Sequence, residues 1–275
     1  MKGKRADIAL VENGLCESRE RAKSLIMEGV VTVDGRRIEK PGDAVNPDSI
    51  FEIKESALKF VSRGGLKLDK AISSFDLNLD SLIATDLGAS TGGFTDCMLM
   101  NGTKKVYAID VGYGQLDWKL RNDPRVVVME RTNARNIVPN WFDEALDFAS
   151  LDLSFISVKL IINGLINCLR EDGKVVVLVK PQFEAGRGKV GKNGVVRNRE
   201  THKEVILTLA DFAKFCGYRL YGLDFSPITG PKGNIEFLLC LEKSSAPDFS
   251  LEFPGYVEKI VTLAHEFHKK GSEEI

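Results

Sequence analysis

The chain has 275 residues, 43% hydrophobic and 28% charged. That is enough to bury a core in one large domain or two smaller ones, and it excludes a long disordered polymer. Lysine and arginine total 38 against 39 aspartates and glutamates, a formal net charge of −1, which excludes a uniformly basic nucleic-acid binder but leaves local basic patches open.

Taken in chain order, residues 4–14 and 18–29 read as two short helices. The first carries Ile8, Ala9, Leu10 and Val11 and stops at Asn13-Gly14; the second has Ser18 as its expected cap and stops at Gly29. Residues 30–33 read as a strand, Asp34-Gly35 as a tight hairpin turn, Pro41-Gly42-Asp43 as a further turn and 49–54 as another short strand. Residues 1–56 thus make a small α+β unit, and 57–65 a linker broken by Arg63-Gly64-Gly65. Leu66 to Phe75 restarts as a helix. From residue 82 strands (82–87, 104–110, 125–130, 145–153, 173–180) alternate with helices (94–101, 115–121, 155–169, 199–216). This pattern predicts an α/β fold, a parallel sheet with helices on both faces. The apolar segments 218–225 and 235–242 are separated by Ser226 to Gly233 and little more. That gap is too short for a parallel crossover, so the sheet is expected to close with an antiparallel hairpin, giving a domain over 66–245. Residues 246–275 form an extension holding an amphipathic helix at 254–270.

No apolar run approaches the roughly 18 residues of a membrane helix. The short apolar stretch behind the basic Met1–Arg5 is interrupted by Asp7 and Glu12, which argues against a signal peptide. Cys16, Cys97, Cys168, Cys216 and Cys240 are odd in number and widely spaced, so neither a disulfide framework nor a zinc site is expected, and a reducing cytoplasm fits. His265 and His268 share a helix face, with His202 far off in sequence. We expect a solvated face there and no metal.

Leu82 to Phe94 reads as strand, glycine-rich turn and helix start. Gly88, Ser90, Thr91, Gly92, Gly93 and Phe94 are placed where a backbone can approach a ligand and a helix N-terminus offers free N–H groups. Asp110 ends the next strand, where a carboxylate can accept from ribose hydroxyls. Dinucleotides and S-adenosylmethionine share this geometry, and a plain strand–helix turn is the bland alternative. Ser90 stands where a dinucleotide fingerprint wants glycine. Asp86 would repel a pyrophosphate but suit an ammonium and a sulfonium, so the reading leans to S-adenosylmethionine.

Lys180 ends the apolar strand 174–179 and Asp152 ends the strand before it, so both are expected to face the crevice beyond the strand ends. Glu236 opens the antiparallel last strand at the same edge, and Lys67 opens the helix after Arg63-Gly64-Gly65. Singly, each also fits an ordinary strand-end or helix-start residue. Together, beside a cofactor turn, they point to a catalytic group.

At these residues the second domain resembles the FtsJ-type ribosomal-RNA 2′-O-ribose methyltransferases, with their Lys–Asp–Lys–Glu tetrad matched by Lys67, Asp152, Lys180 and Glu236. The first domain resembles the alpha-L RNA-binding module of a small-subunit ribosomal protein, through Gly14-Leu15, Ser18-Arg19, Ala22, Leu25-Ile26, Gly29-Val30-Val31, Val33 and Asp34-Gly35. The combination, with Ser62-Arg63-Gly64-Gly65 and Gly88-Ala89-Ser90-Thr91-Gly92-Gly93-Phe94, resembles the TlyA family over residues 4–242. The resemblance implies a Rossmann-like methyltransferase sheet and methyl transfer from S-adenosylmethionine to a cytidine 2′-hydroxyl, in the ribosomal RNA of the large subunit alone or of both subunits. Asn133 and Asp152 join the cofactor contacts. Lys180 is the expected base, and Lys67, as a neighbouring cation, would favour its neutral form and orient the attacking oxygen. RNA contacts are expected at Lys4, Arg5, Arg19, Arg21, Lys23, Arg36, Arg63 and Lys189. Lys2, Arg37 and Lys40 add to the N-terminal clusters. Arg187, Lys192, Arg197 and Arg199 lie with Lys189 on a glycine-rich arm read as mobile. The expected partner is ribosomal RNA in ribosomal subunits, with no membrane and a monomer favoured. The rival readings are a non-catalytic RNA-binding or assembly factor, a membrane-lytic protein and a nicotinamide oxidoreductase.

Overall fold

A computed structural model describes residues 3–16, 19–38, 40–46, 49–53, 59–191, 193–244 and 252–273. Lys2, Ser18, Lys192 and the side chain of Arg187, all named above, lie outside the described residues, as does the linker stretch 54–58.

The N-terminal unit opens with β1 (Lys4–Arg5), α1 (Ala6–Glu12) and α2 (Arg19–Glu28). The short strands β2 (Val31–Val33), β3 (Arg36–Arg37), β4 (Ala44–Val45) and β5 (Phe51–Ile53) follow. The first helix starts two residues later than its pattern predicts. Lys4 and Arg5 are extended and pair antiparallel with Val45 and Ala44, a contact no local signal announces. Ala6, Ala9 and Leu10 on α1 and Ala22, Leu25 and Ile26 on α2 each repeat at i, i+3, i+4, and both stripes bury against Val31, Val33 and Val45. Asp34 and Gly35 have φ of 50° and 75°, the left-handed pair that a tight hairpin requires between β2 and β3.

The larger unit contains a seven-stranded sheet. Its elements are α3 (Gly65–Ser74), β6 (Ile83–Leu87), α4 (Gly93–Met100), β7 (Lys105–Ile109), α5 (Trp118–Arg121) and β8 (Val126–Met129). There follow β9 (Leu146–Leu151), α6 (Lys159–Leu165), β10 (Leu169–Val179), α7 (Pro181–Glu184), α8 (Arg199–Phe215), β11 (Tyr218–Phe225), β12 (Phe237–Lys243) and α9 (Phe253–Glu273). The strand order is β11-β12-β10-β9-β6-β7-β8; β12 runs antiparallel to both neighbours and the other pairings are parallel. Val175, Val177 and Val179 face the layer of α6, α8 and α9, while Val176 and Leu178 face that of α3 and α4, all essentially without exposure. This two-sided burial is why the strands are continuous apolar runs and not alternating ones. Order reverses around β6, whose neighbours are β9 and β7, so the crevice of the sheet opens at the carboxyl ends of β6 and β9.

The expected helix 155–169 is shorter than its pattern: it runs from Lys159 to Leu165 and closes in a 3-10 turn, because Phe155 holds a left-handed φ of 66°. The histidines are a correction. They do not lie on a solvated face. His202 is fully buried; its Nε2–H donates to the Val196 carbonyl at 3.1 Å and its Nδ1 lies 2.9 Å from His265 Nε2. His268 donates to the Ser226 carbonyl at 3.0 Å. These contacts and the stripe Val257, Ile260, Val261, Ala264 dock α9 onto α8 and β11. Burial, with His265 beside it, pushes the His202 pKa down to about 4, so the pair is neutral at physiological pH. Among the described residues no group of three or more His, Cys, Asp or Glu side chains could hold a metal ion.

Candidate active site

The turn after β6 is fastened from below. Gly88 and Ala89 N–H both donate to the Ile109 carbonyl, at 2.9 and 3.1 Å. Asp110 bridges two turns: Oδ2 accepts from Ser90 N at 2.9 Å and Oδ1 from Gly112 N at 2.7 Å. Its oxygens keep lone pairs for a hydroxyl ligand. Asn133 is exposed beyond β8, where its side chain accepts from Arg135 N at 3.1 Å; the adjacent Thr132 N–H donates to the Asp110 carbonyl at 2.9 Å. Gly92 caps α4 at a φ of 95°.

Asp86 departs from its sequence reading. It does not face a ligand. It is fully buried: Oδ2 accepts from Thr95 N (2.9 Å) and Thr95 Oγ1 (2.7 Å), and Oδ1 accepts from Ser150 Oγ (3.1 Å). Burial outweighs those donors and pushes its pKa up to about 7. Asp86 therefore ties the first turn of α4 to the sheet and is no fixed wall of negative charge.

The turn floors a cleft of about 330 Å3 lined by Ser62, Gly64, Gly88, Ala89, Ser90, Thr91, Gly93, Phe94 and Asp152. Ser62 and Gly64 come from the linker segment 57–65. They reach the turn because Gly93 lacks a side chain: a Cβ there would lie 2.4 Å from Ser62 Oγ and 2.8 Å from Gly65 N. Gly88 is the less forgiving position. Its φ is 88° and a Cβ would sit 2.6 Å from the Asp152 carbonyl oxygen, a backbone atom that cannot step aside cheaply. Gly88→Ala is therefore expected to displace Asp152 and weaken cofactor binding by roughly tenfold or more. Calorimetric titration with S-adenosylhomocysteine reads this, and an unchanged affinity would contradict it.

Four polar groups meet at the mouth of the crevice as two ion pairs. Lys67 Nζ donates to Glu236 Oε2 at 2.7 Å, with side chains 8% and 1% exposed. Lys180 Nζ lies 2.5 Å from Asp152 Oδ1 and donates to Ser154 Oγ at 3.0 Å. The Lys180–Asp152 contact is one of charge, with Asp152 Oδ1 buried against the ammonium. The pairs interact. Burial lowers the Lys67 pKa, but Asp152 and Glu236 together outweigh it and leave it raised. Burial likewise raises the Asp152 pKa, but Lys180 and then Lys67 carry it below the ordinary carboxylate range. The sequence reading has Lys67 act on the charge of Lys180 and the two carboxylates fix the lysines; in the structure Glu236 pairs with Lys67 and Asp152 with Lys180.

Phe155 is the residue sequence reasoning missed, having been placed inside a helix. It is 88% exposed, holds a strained φ, and its ring centre lies 5.1 Å from that of Phe183, whose ring lies 6.0 Å from Lys180 Nζ. The left-handed backbone turns the ring out of the helix its pattern predicts and sets it against Phe183. No periodicity could have shown it.

The basic residues are dispersed. Arg5 and Arg19, half exposed, share the fully buried Asp7: Arg5 by two hydrogen bonds of 2.9 Å, Arg19 by one of 3.2 Å. Led by the Arg5 bonds, they hold the Asp7 pKa down to about 2. Arg36 and Arg37 are exposed on β3, Lys4 pairs with Glu12, and Arg21 lies 3.9 Å from Asp117. Lys23 and Arg63 are half-buried, Arg63 near enough to Lys67 to act on its charge. Lys189 pairs with Glu204. The arm they belong to is not free: Val195 and Val196 bury at its root.

Comparison with known proteins sets this site in context. The family described as FtsJ-like methyltransferase matches residues 60–243, and the S4 domain family matches residues 4–50. A Bacillus subtilis (strain 168) protein, provisionally named rRNA methyltransferase YqxC, is 48% identical over 99% of this chain and 96% of its own. The 16S/23S rRNA (cytidine-2′-O)-methyltransferase TlyA of Mycobacterium tuberculosis is 44% identical over 86% of this chain and 89% of its own. A solved Streptococcus thermophilus structure, provisionally named a hemolysin, aligns with a TM-score of 0.79 at 47% identity, covering 99% of each chain.

Proposed function

The chain belongs to the FtsJ-like methyltransferases, and within them to the TlyA family, and from that premise we propose that it methylates a cytidine 2′-hydroxyl in ribosomal RNA using S-adenosylmethionine. The observation that carries the reading is the meeting of Lys67, Glu236, Lys180 and Asp152 as two ion pairs beside the glycine turn.

The residues suit the cofactor. The turn 88–93 gives close backbone approach, Asp110 suits ribose hydroxyls with Asn133 nearby, and the Asp152 carboxylate lines the cleft on the side suited to the methionine group. When bound, the cofactor supplies an electrophilic methyl on a sulfonium. Lys180, in its neutral form, takes the proton of the 2′-hydroxyl as the oxygen attacks. Lys67 orients that oxygen, held in place by Glu236, and Asp152 fixes Lys180. The work is mostly positioning of a poor nucleophile in line. Phe155 offers the target base a flat apolar face next to Phe183, the ring that lies 6.0 Å from Lys180 Nζ.

Residues 1–56 are the RNA-binding domain in this reading, 57–65 a link, 66–245 the methyltransferase domain and 246–275 a helical extension. Arg5, Arg19 and Arg36 present guanidinium groups to phosphates. The chain works in the cytoplasm, where ribosomal subunits are. Among the described residues no helix is long and apolar enough to cross a membrane.

The test is transfer of a tritiated methyl to ribosomal subunits from a strain lacking the gene. Label in 2′-O-methylcytidine after nuclease digestion is expected in large-subunit RNA, with the small subunit assayed alongside. Unlabelled RNA from a chain that binds both RNA and cofactor would leave a non-catalytic assembly factor as the answer.

A further inference from the structure

The hairpin loop between β11 and β12 holds a side chain that no part of the mechanism uses. Asn234 is 3% exposed and lies two residues before Glu236. Both ends of its amide are engaged across the molecule: Oδ1 accepts from Val196 N at 2.9 Å, and Nδ2 donates to the Gly194 carbonyl at 2.9 Å. Its own carbonyl accepts from Gly230 N at 2.9 Å. Gly230 in turn lies over the catalytic carboxylate, since a Cβ there would be 2.7 Å from Glu236 Oε1. On the other side of Glu236, its carbonyl accepts from Ser226 N at 2.9 Å. The loop shape around Glu236 is thus closed by Asn234, and Asn234 is gripped by the basic arm.

The arm has little slack where it is gripped. Val195 and Val196 are buried, Gly191 N–H donates to the Val195 carbonyl at 3.1 Å, and the Val196 carbonyl accepts from buried His202. Lys189, Arg197 and Arg199 stay exposed on the flanks. Arg197 adjoins Val196, whose backbone N–H Asn234 holds directly, and Arg199 follows two residues on. A packing role alone would be served by an apolar side chain; a two-ended amide bonded to two residues of one remote segment fixes position and orientation together.

We propose that Asn234 is a positioning residue that couples RNA engagement on the arm 185–199 to the placement of Glu236, and through it of Lys67. The proposal rests on reading the arm as an RNA contact and Glu236 as catalytic. Phosphates seated on Arg197 and Arg199 hold the arm in the position Asn234 grips, the amide carries that restraint to the hairpin loop, and the Lys67–Glu236 pair keeps its 2.7 Å geometry under the load of the bound substrate.

The test uses the full chain, ribosomal subunits, and single-turnover transfer beside separate RNA and cofactor affinities. Arg197→Ala with Arg199→Ala is expected to weaken RNA binding and also slow transfer at saturating RNA, by roughly fivefold or more. Asn234→Ala is expected to slow saturated transfer by roughly 10- to 100-fold, with both affinities within about threefold. The triple variant should bind as poorly as the double but transfer no more slowly than Asn234→Ala, because the link is already cut. Rates that simply multiply would overturn the coupling. Unchanged RNA binding in the double variant would overturn the reading of the arm instead, and transfer absent from the unaltered chain would remove the enzymatic reading itself. Should Asn234→Ala fail to fold, hydrogen exchange at saturating RNA decides. Residues 226–236 should be protected in the unaltered chain and not in the arm variant, and equal protection overturns the proposal.

Discussion

Lys180→Ala is expected to lower single-turnover methyl transfer by about 10³-fold or more while S-adenosylmethionine affinity stays within roughly threefold. The loss combines the base with the positioning of the reacting oxygen. The fold should survive, because what the substitution leaves behind is tolerable. Asp152 keeps a side chain 22% exposed, so water can solvate it, and Lys67 still acts on its charge. Ser154 loses a donor at a site water can enter. Transfer by this variant at near the original rate, with cofactor bound, would remove Lys180 from the chemistry and with it the mechanism.

Glu236→Ala should cost stability as well as activity. Lys67 is 8% exposed and Glu236 is its hydrogen-bonded partner, so the truncation leaves a buried ammonium without one. Breaking such a pair costs about 3–5 kcal/mol. A double substitution, Lys67→Met with Glu236→Leu, should recover most of that stability and none of the activity, because burying neither charge avoids the desolvation. Denaturant melts of the two variants and the unaltered chain decide it. Equal stability of the single variant and the unaltered chain would show that Lys67 escapes to water.

The pH dependence of that loss has a definite sign. In the unaltered chain the Lys67 pKa is raised above its ordinary 10.5, so the pair's stabilisation is complete below 10.5 and fades only as pH climbs through the higher folded value. In Glu236→Ala burial is opposed by Asp152 alone, and the Lys67 pKa should fall below 10.5. The folded state then sheds its proton before the unfolded state does, so the stability deficit at neutral pH should shrink as pH rises towards 10.5.

How far the sequence could be read depended on the range of the signal. The strand 173–180 was visible because burial on both sheet faces demands an unbroken apolar run, and the hairpin at 218–242 because so short a gap admits no crossover. Asp34-Gly35 was visible because two successive left-handed residues have few possible spellings. The four polar residues were individually visible at element ends, since a charge at the close of an apolar strand calls for an explanation.

Their pairing was not visible. That Lys67 meets Glu236, 169 residues away, while Lys180 meets Asp152, follows from β12 lying between β10 and β11, with α3 packed against it. Asp86 carries the same chemistry as Asp152 in the sequence. One is turned into the sheet under Thr95 and Ser150 and pushed up to about 7, and the other is held below the ordinary range by two lysines. Phe155 looked like a helix residue until its backbone turned left-handed, and the arm looked loose until Asn234 gripped it. Periodicity and turn conformation are set by a residue's immediate neighbours, so the sequence alone determined the elements, the sheet's antiparallel closure and the inventory of reactive groups. Charge state and partnership depend on which distant segments exclude water from a side chain, and only the tertiary structure decides that.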